Sequence, residues 1–212
     1  MNYLKASGLV AMAAAALIAI LGAGSASATT ICTQTETPCA PANQYTTTQD
    51  NIIEASLEEK TSVTWEHTGG PVVDTCTSST IKGEITNAGS STTTVKIKVT
   101  ETTFGGCKDP TSANNAATCT LEVHNIVNTD HGTVTASGCT ITIIEGGGTV
   151  TCRYGYANGA HLGILTGGAM GTLDINALLV KIDTSSFLCP ETEVLEAEYT
   201  VTKPTDALYV EP

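Results

Sequence analysis

The sequence predicts an all-β fold: an antiparallel β-sandwich or Greek-key barrel of about ten to twelve strands, stabilised by disulfides. Three observations carry this expectation. Apolar and polar residues alternate with period two along nearly the whole chain, as half-buried strands require. Clusters of Gly, Asn, Asp, Ser and Pro interrupt that alternation every eight to twelve residues or so. Eight cysteines follow an N-terminal segment with the features of an export signal, and an even count in such a chain reads as a disulfide framework.

The first 28 residues are read as a cleaved signal peptide. Lys5 supplies the positive end, Leu9 to Leu21 an apolar stretch, and Ala26-Ser27-Ala28 a small-residue cleavage site. That stretch is too short to span a bilayer, which needs about 20 residues. No membrane span is expected in the mature chain, and Ile31 is too bulky a neighbour for lipid attachment at Cys32. Residues 29–212 are expected to form a single β domain, secreted into the medium or held at the cell envelope.

The strands can be followed in order. After a polar stretch to Asp50, Ile53, Ala55 and Leu57 share one face, and Val63, Trp65 and His67 another, with Glu59-Lys60 turning between them. A strand carrying Cys76 follows Gly69-Gly70-Pro71, and Ile81, Gly83 and Ile85 mark the next. Thr93 to Thr103 alternates most regularly, with Val95, Ile97 and Val99 opposed to Lys96 and Lys98. Cys119, Leu121 and Val123 form a further strand. Asn158-Gly159 signals a hairpin turn, followed by Leu162 and Ile164. Leu173 and Ile175, then Leu178, Val180 and Ile182, form two phases of one apolar run, so a bulge is expected near Ala177. Asp183 to Ser186 turns the chain into a long strand with Leu195, Ala197, Tyr199 and Val201 on one face, and Leu208 to Val210 closes an edge.

Residues 133–156 read as one hairpin. A turn at Glu145-Gly146 sets Ile141 against Val150 and Cys139 against Cys152, at a non-hydrogen-bonded pair where side chains approach most closely. A Cys139–Cys152 disulfide is therefore expected. Cys32 and Cys39 bracket a short proline loop, Cys107 and Cys119 a polar one, which leaves Cys76 with Cys189.

Composition and motifs exclude several functions. The chain carries a net charge of −12, and loss of Lys5 leaves 8 basic against 21 acidic residues, with Arg153 the single arginine. Phosphate recognition needs clustered Arg and Lys, so no nucleic-acid partner is expected. There is no C-x-x-C, H-E-x-x-H, G-x-S-x-G or Asp-rich calcium loop, so no metal, no cofactor and no catalytic residue is assigned. His67, His124, His131 and His161 stand apart along the chain, and the glycine runs have no helix after them to cradle a phosphate. The Thr-x-Thr pairs lack the fixed period of an ice-binding array.

Cys32…Pro38-Cys39, Phe187-Leu188-Cys189-Pro190 and the ending Tyr199-Thr-Val-Thr…Pro204…Leu208-Tyr209-Val210 resemble a group of exported proteins of soil actinobacteria. That group has no assigned activity, so the resemblance implies a compartment and a fold and no chemistry. The expected function is a non-catalytic secreted or cell-envelope module, adhesive or ligand-binding, with a cell-wall component or other extracellular ligand as partner. Its contact surface is expected in the loops 108–117, 128–132 and 157–161. The alternative is a secreted glycosidase-like hydrolase, in which two of Glu66, Glu122, Glu145, Glu196 and Asp174 converge in one cleft.

Overall fold

The computed structural model describes residues 29–48, 51–114, 119–145, 149–157, 159–182 and 187–212. The signal segment and the turns expected at Gly146, Asn158 and 183–186 lie outside these residues. Strand accounts for most of what is described, and the only helical element there is a single 3-10 turn at Pro41–Asn43.

Eight strands close into an antiparallel barrel. In chain order the strands of the molecule are β1 (Thr29–Cys32), β2 (Ile52–Leu57), β3 (Val63–His67), β4 (Val72–Cys76), β5 (Ser78–Ser90), β6 (Thr93–Gly105), β7 (Thr111–Asn114), β8 (Thr120–Asn125), β9 (Gly132–Ser137), β10 (Thr140–Glu145), β11 (Val150–Gly155), β12 (Ala160–Thr166), β13 (Thr172–Lys181), β14 (Thr192–Lys203) and β15 (Tyr209–Glu211). The barrel runs β14-β2-β5-β6-β8-β9-β12-β13 and closes through the β13–β14 pair. Its inward positions, such as Val95, Ile97, Val134, Leu173 and Val201, are the alternating aliphatic residues of the sequence. Closure removes the free edges that an open sheet would expose.

Two strands are longer than the barrel needs. β13 pairs with β12 over Thr172 to Ile175 and with β11 at Val180 to Lys181. On its other edge β14 bonds β3 from Glu193 to Glu196 and β2 from Tyr199 to Lys203. Their far halves therefore leave the barrel and carry a second sheet, β4-β3-β14-β13-β11-β10-β7. This sheet curls until its ends meet: the Lys108 amide donates to the Thr75 carbonyl at 3.0 Å, and Cys76 is bonded to Cys107. Its interior holds Val63, Trp65, Ile143, Tyr154 and Leu179. Trp65 meets Phe104 edge-to-face, with ring centroids 5.2 Å apart, where the two tiers join. The opposite end of the barrel is covered by β1 and β15, which bring in Ile31 and Val210, together with Tyr45 after the 3-10 turn and Leu208 just before β15.

Of the expected architectures the barrel is the one found. Strands 53–57 and 63–67 do not pair with each other. Lys60 makes a left-handed corner (φ 71°), and the two strands lie end to end along β14. β13 has no bulge: it stays in register with β14 from Thr172↔Thr200 to Val180↔Thr192. Register shifts occur elsewhere, in the β14–β2, β3–β4 and β5–β6 pairs and in β12 between His161 and Gly163, where Leu162 and Leu165 are buried and Ile164 less so.

Four disulfides are present, and three differ from expectation. Cys32–Cys39 is found as expected, but the others are Cys76–Cys107, Cys119–Cys139 and Cys152–Cys189. In the β10–β11 hairpin Cys152 faces Ile143, two positions along each strand from the expected register. A slip of that size keeps every side chain on its own face, so the apolar pattern could not detect it. Cys139 instead pairs across the open end of the β8–β9 hairpin, just beyond Thr120↔Ser137. Cys76 and Cys107 staple the open end of the β5–β6 hairpin in the same way, beyond Ser78↔Gly105.

Candidate functional site

The positions singled out in the sequence do not assemble into an enclosed reaction centre. Glu122 lies on β8, ion-paired with Lys96 at 2.7 Å, and the Glu145 side chain is outside the described residues. His124 reaches Thr135 Oγ1 at 3.4 Å, and His131 sits against Asp130 and the Gly167 amide. The three loops also separate. Residues 128–132 stand at the capped end of the barrel, fastened by the Val210 amide to the Asp130 carbonyl. Residues 157 and 159–160 lie by the start of β12, at the barrel's other end, and residues 108–109 are bound to β4.

Asp74, Cys76 and Cys107 form a compact group of potential ligand atoms, but both sulfurs are consumed in a disulfide. The buried Asp74 carboxylate serves the backbone. Its Oδ1 accepts from the Thr75 amide at 2.8 Å and the Asp109 amide at 2.9 Å. On the barrel surface Glu54 meets Lys203 at 3.1 Å and Lys82 at 3.6 Å, and Lys203 above all holds its carboxyl below the usual range. Exposed pairs of this kind contribute little.

Two of the five expected carboxylates do share a depression. On the outer surface, where β14 passes from β3 to β2, a groove of about 540 Å³ is lined by Thr61, Thr64, Asp174, Asn176, Glu196 and Glu198, among others. The register explains the grouping. Asp174 faces Glu198, and Asn176 faces Glu196, which in turn faces Thr64 on β3. The Asn176 amide donates to Glu196 Oε1 at 3.0 Å. All three carboxylates are exposed on an open wall.

The same face changes character along the strands. Two residues beyond Asn176 stands Leu178, opposite Val194, and then Val180, opposite Thr192. Leu178 is 51 % exposed and Val180 40 %, on strands whose inward residues Ala177 and Leu179 are fully buried. Ile182 is exposed as well, and Phe187 stands almost wholly in solvent on the connection into β14. The bulge expected near Ala177, which would have carried Leu178, Val180 and Ile182 onto the face of Leu173 and Ile175, is absent. Their phase, taken without a bulge, already placed them opposite Ala177 and Leu179.

The barrel interior is a weaker site. Two adjoining apolar cavities of about 60 and 40 Å³ share Ile81, Val99 and Leu121. Pockets for small molecules commonly measure about 300 to 1,000 Å³. Small side chains such as Ala55 and Ala136 line these spaces. Near the larger one, Tyr199 donates to Ser79 Oγ at 2.8 Å, which donates to the Thr103 carbonyl at 2.7 Å. Burial raises the Tyr199 phenol to about 12, and Tyr156 beside it is also raised, by burial and by Tyr199.

Comparison of the chain with protein families, with curated proteins and with solved structures finds no match.

Proposed function

We propose that this protein is a non-catalytic exported binding module whose contact surface is the outer face of β13, β14 and β3. One observation carries the reading: β13, shared by both tiers, presents Leu178 and Val180 to solvent, and Ile182 just past its end is exposed as well. A strand apolar on both faces is the pattern of a strand covered on both sides, and exposed apolar patches mark interaction sites. Four disulfides fit an oxidising compartment such as the cell exterior or envelope.

The hydrolase reading has one point in its favour, the shared groove of Asp174 and Glu196. Against it, these carboxylates sit in open solvent, whereas catalysis gains most where water is excluded. The test is the distribution of the protein between culture medium and cell-wall fraction, with a parallel assay on chromogenic polysaccharides. Wild type is expected in the wall fraction, and the double variant Leu178→Asp/Val180→Asp in the medium. Polysaccharide hydrolysis that disappears in Asp174→Asn/Glu196→Gln would replace binding with catalysis.

A further inference from the structure

We infer that the occupant of this face is a polypeptide segment carrying basic residues beside apolar ones. The inference rests on the binding-module reading and adds the partner's chemistry.

The argument is the order of side chains across the face. Paired rows run Val180 with Thr192, Leu178 with Val194, Asn176 with Glu196, and Asp174 with Glu198. Rows of one face are spaced by two residues, so about 7 Å separates each from the next and about 20 Å separates Val180 from Asp174. An apolar end thus passes into an acidic end within the span of a six- or seven-residue extended segment. Glu66, opposite Val194 on β3, adds a further carboxylate at the boundary. Among the described ion pairs, none neutralises Asp174, Glu196, Glu198 or Glu66.

Charge complementarity decides among occupants. A second copy stacked row on row would set carboxylate against carboxylate, and one stacked in reverse would bury carboxylates against Leu178 and Val180, so both arrangements oppose association. An anionic lipid surface is repelled for the same reason, and the chain as a whole carries −12. Lys or Arg about 7 Å from an apolar anchor fits both ends at once. The groove of about 540 Å³ beside Glu196 has room for such side chains.

The experiment uses the purified protein and three synthetic peptides whose alternate residues share one face of an extended chain: Leu-Ser-Leu-Ser-Lys-Ser-Lys, Leu-Ser-Leu-Ser-Glu-Ser-Glu and Ser-Ser-Ser-Ser-Lys-Ser-Lys. Binding is read by fluorescence anisotropy and mapped by amide chemical-shift changes. The Leu/Lys peptide is expected to bind at least tenfold more tightly than either control, with shifts confined to residues 64–66, 174–182 and 192–198. Leu178→Asp/Val180→Asp and Glu196→Lys/Glu198→Lys are each expected to weaken it at least tenfold, and added salt to weaken it further. Equal binding of the Leu/Glu peptide, shifts at a strand edge elsewhere, or indifference to both variants would overturn the inference. So would sedimentation showing a dimer that Leu178→Asp/Val180→Asp dissolves, or tighter binding to phosphatidylglycerol vesicles than to the Leu/Lys peptide. Loss of wall retention in Leu178→Asp/Val180→Asp, with no peptide bound by wild type, would refute the partner's chemistry and leave the docking face standing.

Discussion

Asp74 is the buried charge that ties β4 to the connection after β6. Hydrogen bonds to a charged acceptor contribute about 1.5 to 3 kcal/mol each, and removing the acceptor leaves two amides without it. Asp74→Ala is expected to lower stability by about 2 to 4 kcal/mol in urea denaturation, and Asp74→Asn, which keeps one oxygen, by about half as much. Tyr199 governs the alkaline limit. Its phenol ionises near pH 10 when unfolded and at about 12 when folded, so the folded state holds the proton longer. The stabilisation is complete below about pH 10 and is lost as pH rises toward 12. The tyrosinate absorbance contributed by Tyr199, read as the difference between wild type and Tyr199→Phe, should thus appear only as the pH approaches 12 or the fold is lost. Tyr199→Phe should flatten the fall of stability above about pH 10. Absorbance rising near pH 10 for every tyrosine in the folded protein would contradict this. Inward positions such as Val95 and Tyr199 were legible because strand period is strict. The role of Asp74 was not: a carboxylate between Val73 and Thr75 shows no sign in sequence that amides converge on it.

At the scale of elements, the decisive feature is the unbroken register of β13 against β14. Two apolar phases on one strand admit two explanations, a bulge that brings both inside or a straight strand with one face outside. Only the partner strand's pairing distinguishes them. The bulge in β12 brings Gly163 so close to the backbone of Asp174 that a β-carbon there would collide with its carbonyl. Gly163→Ala is expected to destabilise by about 1 to 3 kcal/mol, the range of overpacking strain, as measured by thermal unfolding. Each of the three long-range disulfides closes 20 to 37 residues, which corresponds to about 3 to 4 kcal/mol in the chain-entropy picture. Cys119→Ala/Cys139→Ala should lose about that much in urea denaturation while keeping its β signature in circular dichroism. Spacing alone favoured local pairs. Cys76–Cys107 and Cys119–Cys139 follow the ends of hairpins whose centres lie far from the cysteines, and Cys152–Cys189 joins β11 to the connection after β13, so strand pairing had to be known first.

For the whole molecule, strands that outrun the barrel explain both the second tier and the exposed face. β13 and β14 are shared, so their outer side chains form one continuous surface extending from barrel to second sheet, and the apolar half of it is left exposed by the described residues. Fold class was legible because alternation, turn chemistry and cysteine count all point one way. Closure was not, since it depends on which strand pairs with which across large separations in sequence.

Disulfide connectivity by non-reducing peptide mapping tests this arrangement most directly, because the Cys pairs record the registers at which the two tiers join. The account predicts Cys76 with Cys107, Cys119 with Cys139, and Cys152 with Cys189. Recovery of a Cys139–Cys152 peptide would shift the β10–β11 hairpin, detach β11 from its place beside β13, and contradict the account.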